Sequence, residues 1–281
     1  MTTMQIAPTV QAILLARIDR LAPEDRHLLQ TAAVIGKDVP LTLLLAISEI
    51  GPAVARGRLG RLEAAEFLRE VSDRPDAEYT FKHALTHEVA YGSLLDERRR
   101  ALHARVVDAI ERLYSDRLAE HVSTLALHAM RGEVWDKALH YCQNAGARDS
   151  ARRAYGEAIT AYEEAIEALG HLPAGRENPP SAIELRRSLA HILGLQGRYQ
   201  RSIALLSQAE ALARQLDDLA PLSSVLRVAS WAGRWEIRRA PWRRHSRRWN
   251  TPRRWATPRT GRTRPIAWRR CSTCWRVFQS G

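Results

Sequence analysis

From Thr9 to Leu21 apolar residues recur at helical spacing, at Val10, Ile13, Leu14, Ile18 and Leu21. Pro23-Glu24-Asp25 then reads as a helix start, with proline at the first position and acids in the first turn. Leu28, Leu29, Ala32 and Ala33 give that helix a buried face, and Gly36 can end it. Pro40 predicts the start of a short apolar helix that stops at Gly51, and Pro52 the start of a third, carrying Val54, Leu59 and Leu62. The period then changes. Phe67 to Val71 and Glu78 to Lys82 predict two strands, with turn chemistry between them from Ser72 to Asp76. Three helices followed by a hairpin is the element order of a winged-helix-like domain.

Beyond Ala84 the pattern is helical to about residue 230. Ala84 to Leu95 and Glu97 to Tyr114 predict amphipathic helices, the second carrying Leu102, Val106, Ile110 and Leu113 on one face. A repeat follows. Trp135, Ala138, Cys142 and Ala145 have the same spacing as Tyr155, Ala158, Tyr162 and Ala165, and as Tyr199, Ser202, Leu206 and Ala209. Small residues at these points let paired helices approach closely, and the large one between them fills the gap, which is the packing logic of tetratricopeptide repeats. A Pro/Gly-rich loop, Leu172 to Pro180, separates the last two copies. The expected fold is mainly α: a winged-helix-like domain, then tetratricopeptide-like α-helical hairpins, then a disordered basic C-terminal tail.

Charge changes the picture only at that tail. The 281 residues carry a formal +12, but residues 231–281 hold 15 arginines, no lysine and one acid, Glu236. The tail is therefore +14 and the remaining 230 residues −2. Seven of the 8 tryptophans lie in it, repeatedly beside arginine, as in Arg234-Trp235 and Arg254-Trp255, with prolines interspersed and no helical or strand period. Ala-Leu-Ala written GCG CTG GCG reads CGC TGG, Arg-Trp, when shifted by one base. The tail thus has the composition of an Ala/Leu-rich helical region read out of frame from about residues 228–238. The functional alternative is a nucleic-acid-binding arm, with arginine on phosphates and tryptophan stacked on bases. An apolar fraction of 45% suffices for a core, and 3 cysteines suggest no disulfide framework. No signal peptide or membrane-spanning run is evident, so a cytoplasmic location is expected.

Candidate chemistry is sparse. His83 and His87 stand four residues apart on one helix face, a spacing that can bind metal, but no third ligand accompanies them, and a helix-start histidine and a surface histidine are the expectation. His121 and His128 read as helix-packing residues. Gly36-Lys37 has no phosphate-cradling loop before it, and none occurs elsewhere. Glu163-Glu164 and Asp217-Asp218 read as solvated charge, Cys271 and Cys274 as a lone pair without partner ligands, and Arg56, Arg58 and Arg61 on the third helix as a solvated face rather than a DNA reader. No catalytic or metal-ligating constellation emerges.

Several segments carry a resemblance. Pro8 to Leu21 looks like the last helix of an AAA-type ATPase core. Leu29 to Gly36, Tyr79 to Tyr91 (with Phe81-Lys82-His83 and His87-Glu88-Val89) and Arg98 to His103 resemble bacterial STAND-type predicted ATPases, which are often joined to adenylate/guanylate cyclase domains. Gly132 to Ala138 resembles the start of their helical repeats.

The resemblance implies a multidomain regulator. Its ATPase core would bind ATP and Mg, its winged helix would close on that core, and its repeats would engage a protein partner. This chain would be a non-catalytic fragment: residues 1–22 a remnant of the core's lid helix, 23–115 the winged-helix-like domain with following helices, 116–230 the repeats and 231–281 the tail. The core and the cyclase domain would lie outside it, with no cofactor of its own. His83, in the Phe81-Lys82-His83 motif, matches a histidine that touches nucleotide phosphates in related switch ATPases. Nucleic-acid binding through the winged helix and basic tail is the alternative function.

Overall fold

The computed structural model describes residues 8–72, 77–173 and 179–215. The expected turn at 73–76, the centre of the Pro/Gly-rich loop, Asp217-Asp218, the Arg/Trp tail and the Cys271/Cys274 pair lie outside the described residues. The chain divides into two units, Met1–Arg239 and Ala240–Gly281, and everything described falls in the first.

The fold is mainly α with one small sheet. Helix α1 (Pro8–Asp19) precedes α2 (Pro23–Ile35), strand β1 (Asp38–Pro40), α3 (Leu41–Ser48), α4 (Pro52–Ala64), β2 (Leu68–Ser72), β3 (Glu78–Phe81) and α5 (Ala84–Gly92). Then come α6 (Asp96–Leu113), α7 (Val122–Arg131), α8 (Trp135–Ala151), α9 (Tyr155–Gly170), α10 (Pro179–Leu195) and α11 (Tyr199–Gln215).

The sheet is antiparallel in the order β1-β3-β2, pairing Val39 with Tyr79 and Leu68 with Phe81. Strand β1 corrects the reading that Pro40 begins a helix. Pro40 ends the strand, opposite Glu78, and α3 begins at Leu41. Three residues are too few to show alternation, and proline is tolerated because β1 is an edge. Helix α3 also stops earlier than Gly51, at Glu49, which adopts a left-handed φ of 56°. Helix α5 ends at Gly92, short of Leu95, which is exposed.

One apolar cluster gathers Leu28 and Leu29 of α2, Leu44 of α3, Leu59 and Leu62 of α4, and Phe67, Leu68, Tyr79 and Phe81 of the hairpin. Helix α1 enters it through Ile18, and Arg17 donates to the Ala65 carbonyl at 2.9 Å. Leu59 and Leu62 are fully buried, so truncating either to alanine costs roughly 2–5 kcal/mol. Below them a bidentate pair joins Arg61 to the buried Asp25 at 2.7 Å through both oxygens. A second cluster begins at Val34, Leu43 and Ile47, passes through α6 at Val106 and Ile110, and continues through α7, α8 and α9 to α10. The core does not break at residue 115.

All three copies of the spaced pattern lie on helices whose first residue is the aromatic one, and Ala138, Cys142, Ala145, Ala158, Tyr162, Ala165, Ser202, Leu206 and Ala209 are all buried. A shared turn precedes each copy. Glu133, Arg153 and Gly197 take left-handed φ values of 53°, 62° and 76°. The next residue's N–H reaches a carbonyl five back: Val134 to Ala129, Ala154 to Asp149 and Arg198 to Leu193. This is the six-to-one closure that satisfies the orphan carbonyls of a helix end. Between α8 and α9 the Tyr162 ring lies against the backbone of Gly146, where an added Cβ would stand 3.0 Å from the ring.

Candidate functional site

His83 occupies the N-cap of α5 with an extended backbone (φ −134°, ψ 137°). Its side chain is exposed and forms no capping bond, and the carbonyl accepts from Thr86 N at 3.0 Å. Beside it Lys82 pairs with Glu66 at 2.7 Å. An exposed imidazole at a helix N-terminus is free to meet an anion presented from outside this fold.

His87 does not join it. The expected surface histidine is half-buried, with Nε2 2.9 Å from the Ala33 carbonyl and its ring edge-on to Phe81 and stacked on Tyr91. One turn of helix is enough to put His83 in solvent and His87 against α2, because the cap lies outside the buried stripe. Among the described residues no group of three histidine, cysteine or acidic side chains converges on a point where a metal could sit.

Tyr91 leads into a buried network that pattern reading missed. Its hydroxyl lies 2.9 Å from His103 Nε2, and His103 Nδ1 lies 2.8 Å from His128 Nδ1. The Ile35 backbone also lies close to His128. A neutral imidazole has one donor and one acceptor nitrogen, so in the His103–His128 contact one ring donates and the other accepts. Both rings are neutral. Burial pushes His103 down to about 3, helped by His128, Arg131 and Arg99. It pushes His128 down to about 4, helped by Arg131 and opposed by the Ile35 carbonyl. Arg99 also lies over the Tyr91 ring at 4.7 Å. His128 is thus a packing residue, as its place on a helix suggested, and His121 is another, stacked on Tyr114 at 4.3 Å. His103 was hidden in a charged-looking segment, Arg98 to Arg105, and its only signal was its place one residue after Leu102 on the apolar stripe.

Two further expectations change. Glu164 is not solvated: it is half-buried, accepts from the Cys142 thiol at 3.8 Å, and is held above the usual carboxylate range by burial. Its neighbour Glu163 pairs with Arg201 at 2.6 Å. Of the third helix's arginines only Arg56 remains a simple solvated group. Arg61 is committed to Asp25, and Arg58 is half-buried.

Helices α7, α8 and α9 leave a groove of about 330 Å³. Ala126, Leu127, Ala145 and Ala161 form its apolar floor, Asp149, Glu157 and Glu164 its acidic side, and Ser123 and Thr160 contribute hydroxyls. Such a lining can hold an extended or helical segment but has no group placed for bond making or breaking.

No protein-family model and no solved structure matches the chain. It is 28% identical over 163 residues to an uncharacterized protein of Rhizobium meliloti (strain 1021). The aligned region takes in 58% of this chain but only 16% of that protein.

Proposed function

We propose that this chain is the non-catalytic, protein-interaction part of a STAND-type signalling ATPase of the kind associated with adenylate/guanylate cyclases, with a winged-helix domain followed by tetratricopeptide-like hairpins. The observation that carries the reading is the thrice-repeated helix entry at Glu133, Arg153 and Gly197, each followed by three buried residues at the same spacing, with small residues at the first and third. Serial helices built on one turn and one packing rule are the construction of repeat arrays, whose grooves bind protein segments. The sheet order β1-β3-β2, with α2, β1, α3 and α4 before the hairpin, supports the winged-helix part. That the matched region is a small share of a much longer relative agrees with a module of a multidomain protein.

In this reading the α7–α9 groove takes a partner segment with apolar side chains for its floor and a basic one for Glu157, Asp149 being paired with Arg148 at 2.9 Å. ATP and Mg belong to the ATPase core, and His83 is the group this region offers to the nucleotide phosphates. Sequencing the locus upstream of the Met1 codon and across the codons for residues 225–281 tests the assignment. An in-frame phosphate-binding loop upstream is the expected result, and its absence from every frame sinks it. In a polypeptide carrying the core, His83→Ala is expected to speed nucleotide release; unchanged release removes His83 from the site.

A further inference from the structure

A cavity of about 220 Å³ lies between α2, α3, α4 and α6. Arg58 comes from α4 and Arg98 and Arg105 from α6, while His27, Thr31 and Glu24 come from α2. Among the described residues Arg105 is tied to Glu49, but no carboxylate lies within ion-pair distance of Arg58 or Arg98. Arg98 instead donates to His27 Nε2 at 3.3 Å, and a guanidinium cannot accept, so that nitrogen is unprotonated. His27 is held below the ordinary imidazole range by burial, then by Arg98 and Arg26, with Glu24 opposing and Arg58 adding to the effect. The local field is positive even with Glu24 on the wall.

We infer that this cavity binds the phosphate group of a small soluble phosphate compound, with Arg58 and Arg98 as its two charged donors and His27 as a third that protonates when the anion enters. Planar guanidinium forks match phosphate oxygens geometrically, and charge-assisted bonds of this type are the strong ones. The volume falls below the range of pockets that enclose drug-sized ligands, so inorganic phosphate, pyrophosphate or one phosphomonoester group fits and a whole nucleotide does not. The inference is independent of the ATPase reading, because the cavity is formed by α2, α3, α4 and α6 and includes neither His83 nor the α7–α9 groove.

The probe is inorganic pyrophosphate, titrated into the full chain at constant ionic strength while the His27 ring resonances are followed by NMR and assigned with a His27→Gln variant. A site-specific signal is needed because the 15 tail arginines will also attract the anion. The expected result is a saturable His27 shift and a raised His27 pKa, with affinity falling about tenfold or more for Arg58→Ala and for Arg98→Ala, while the exposed Arg56→Ala leaves it unchanged. A His27 response that sodium chloride reproduces, or that survives loss of both Arg58 and Arg98, overturns the inference. So does a response to a DNA duplex but not to pyrophosphate, which would make the cavity a nucleic-acid contact.

Discussion

His103 and His128, on different helices and 25 residues apart in sequence, face each other through their Nδ1 atoms at 2.8 Å with no exposure of the first and 2% of the second. A neutral imidazole has one donor and one acceptor, so this contact exists only if one ring donates and the other accepts. Protonating the accepting ring at its Nδ1 destroys the contact, and protonating the other ring charges a group buried in the core.

Acid should therefore loosen the fold in a defined window. Both histidines have depressed folded values, about 3 and about 4, against an ordinary 6.5. Between those limits the unfolded chain binds more protons than the folded one. The stabilisation from keeping both rings neutral is complete above the unfolded value and is lost as pH falls below it, at up to about 1.4 kcal/mol per pH unit for each ring. Thermal melts followed by circular dichroism should show the midpoint dropping between pH 6.5 and pH 4. A His103→Leu/His128→Leu double variant should flatten that slope, and equal slopes would refute the account.

Single replacements should be worse than the pair. His128→Leu leaves His103 Nδ1 unpartnered in the core at a cost of about 1–3 kcal/mol, whereas replacing both rings removes that nitrogen and frees only the half-buried Tyr91 hydroxyl. A double-mutant cycle by urea denaturation should give a coupling energy of about 1 kcal/mol or more between the two sites. Strict additivity would mean that the contact contributes nothing.

Two glycine-to-alanine changes should have opposite signs. At Gly132 an added Cβ would stand 2.8 Å from the backbone nitrogen of Ala104, an atom that cannot move aside. Gly132→Ala should destabilise by about 1–3 kcal/mol through overpacking of α6 on α7. At Gly57, inside α4, nothing lies within 4 Å, so Gly57→Ala should stabilise by roughly 0.5–1 kcal/mol from helix propensity alone. Urea midpoints for the two variants decide both.

The Cys142 thiol should be inert in the folded protein. Burial pushes it up to about 12, with Glu164 adding to the effect, so almost no thiolate exists at neutral pH. Peptide mapping after brief alkylation should find Cys142 unmodified until denaturant is added. Modification at the native-state rate of an exposed thiol would contradict its burial.

Sequence pattern located most of the helices because Pro23, Pro52 and the apolar stripes carry their signal locally. It located the buried repeat positions because the recurring spacing of small residues is itself a packing instruction. It could not find β1, whose identity is set by pairing with residues 78–80 and not by its own three residues. Nor could it separate His83 from His87, since helical spacing places both on one face and only the position of α2 decides which is covered. The His103–His128 contact was illegible for a related reason: each ring sits on an ordinary amphipathic stripe, and their meeting depends on how α6 crosses α7. The turns at Glu133 and Arg153 escaped notice because neither left-handed position is a glycine.

The contacts that run from Tyr91 on α5 through His103 on α6 to His128 on α7 make the covalent connection between α6 and α7 redundant. The peptide from Tyr114 to His121 holds in sequence what side chains already hold in space. Trypsin reaches that stretch at the exposed Arg117. A chain cut there should elute from gel filtration at neutral pH as one particle made of two pieces, and fall apart only on acidification or in denaturant.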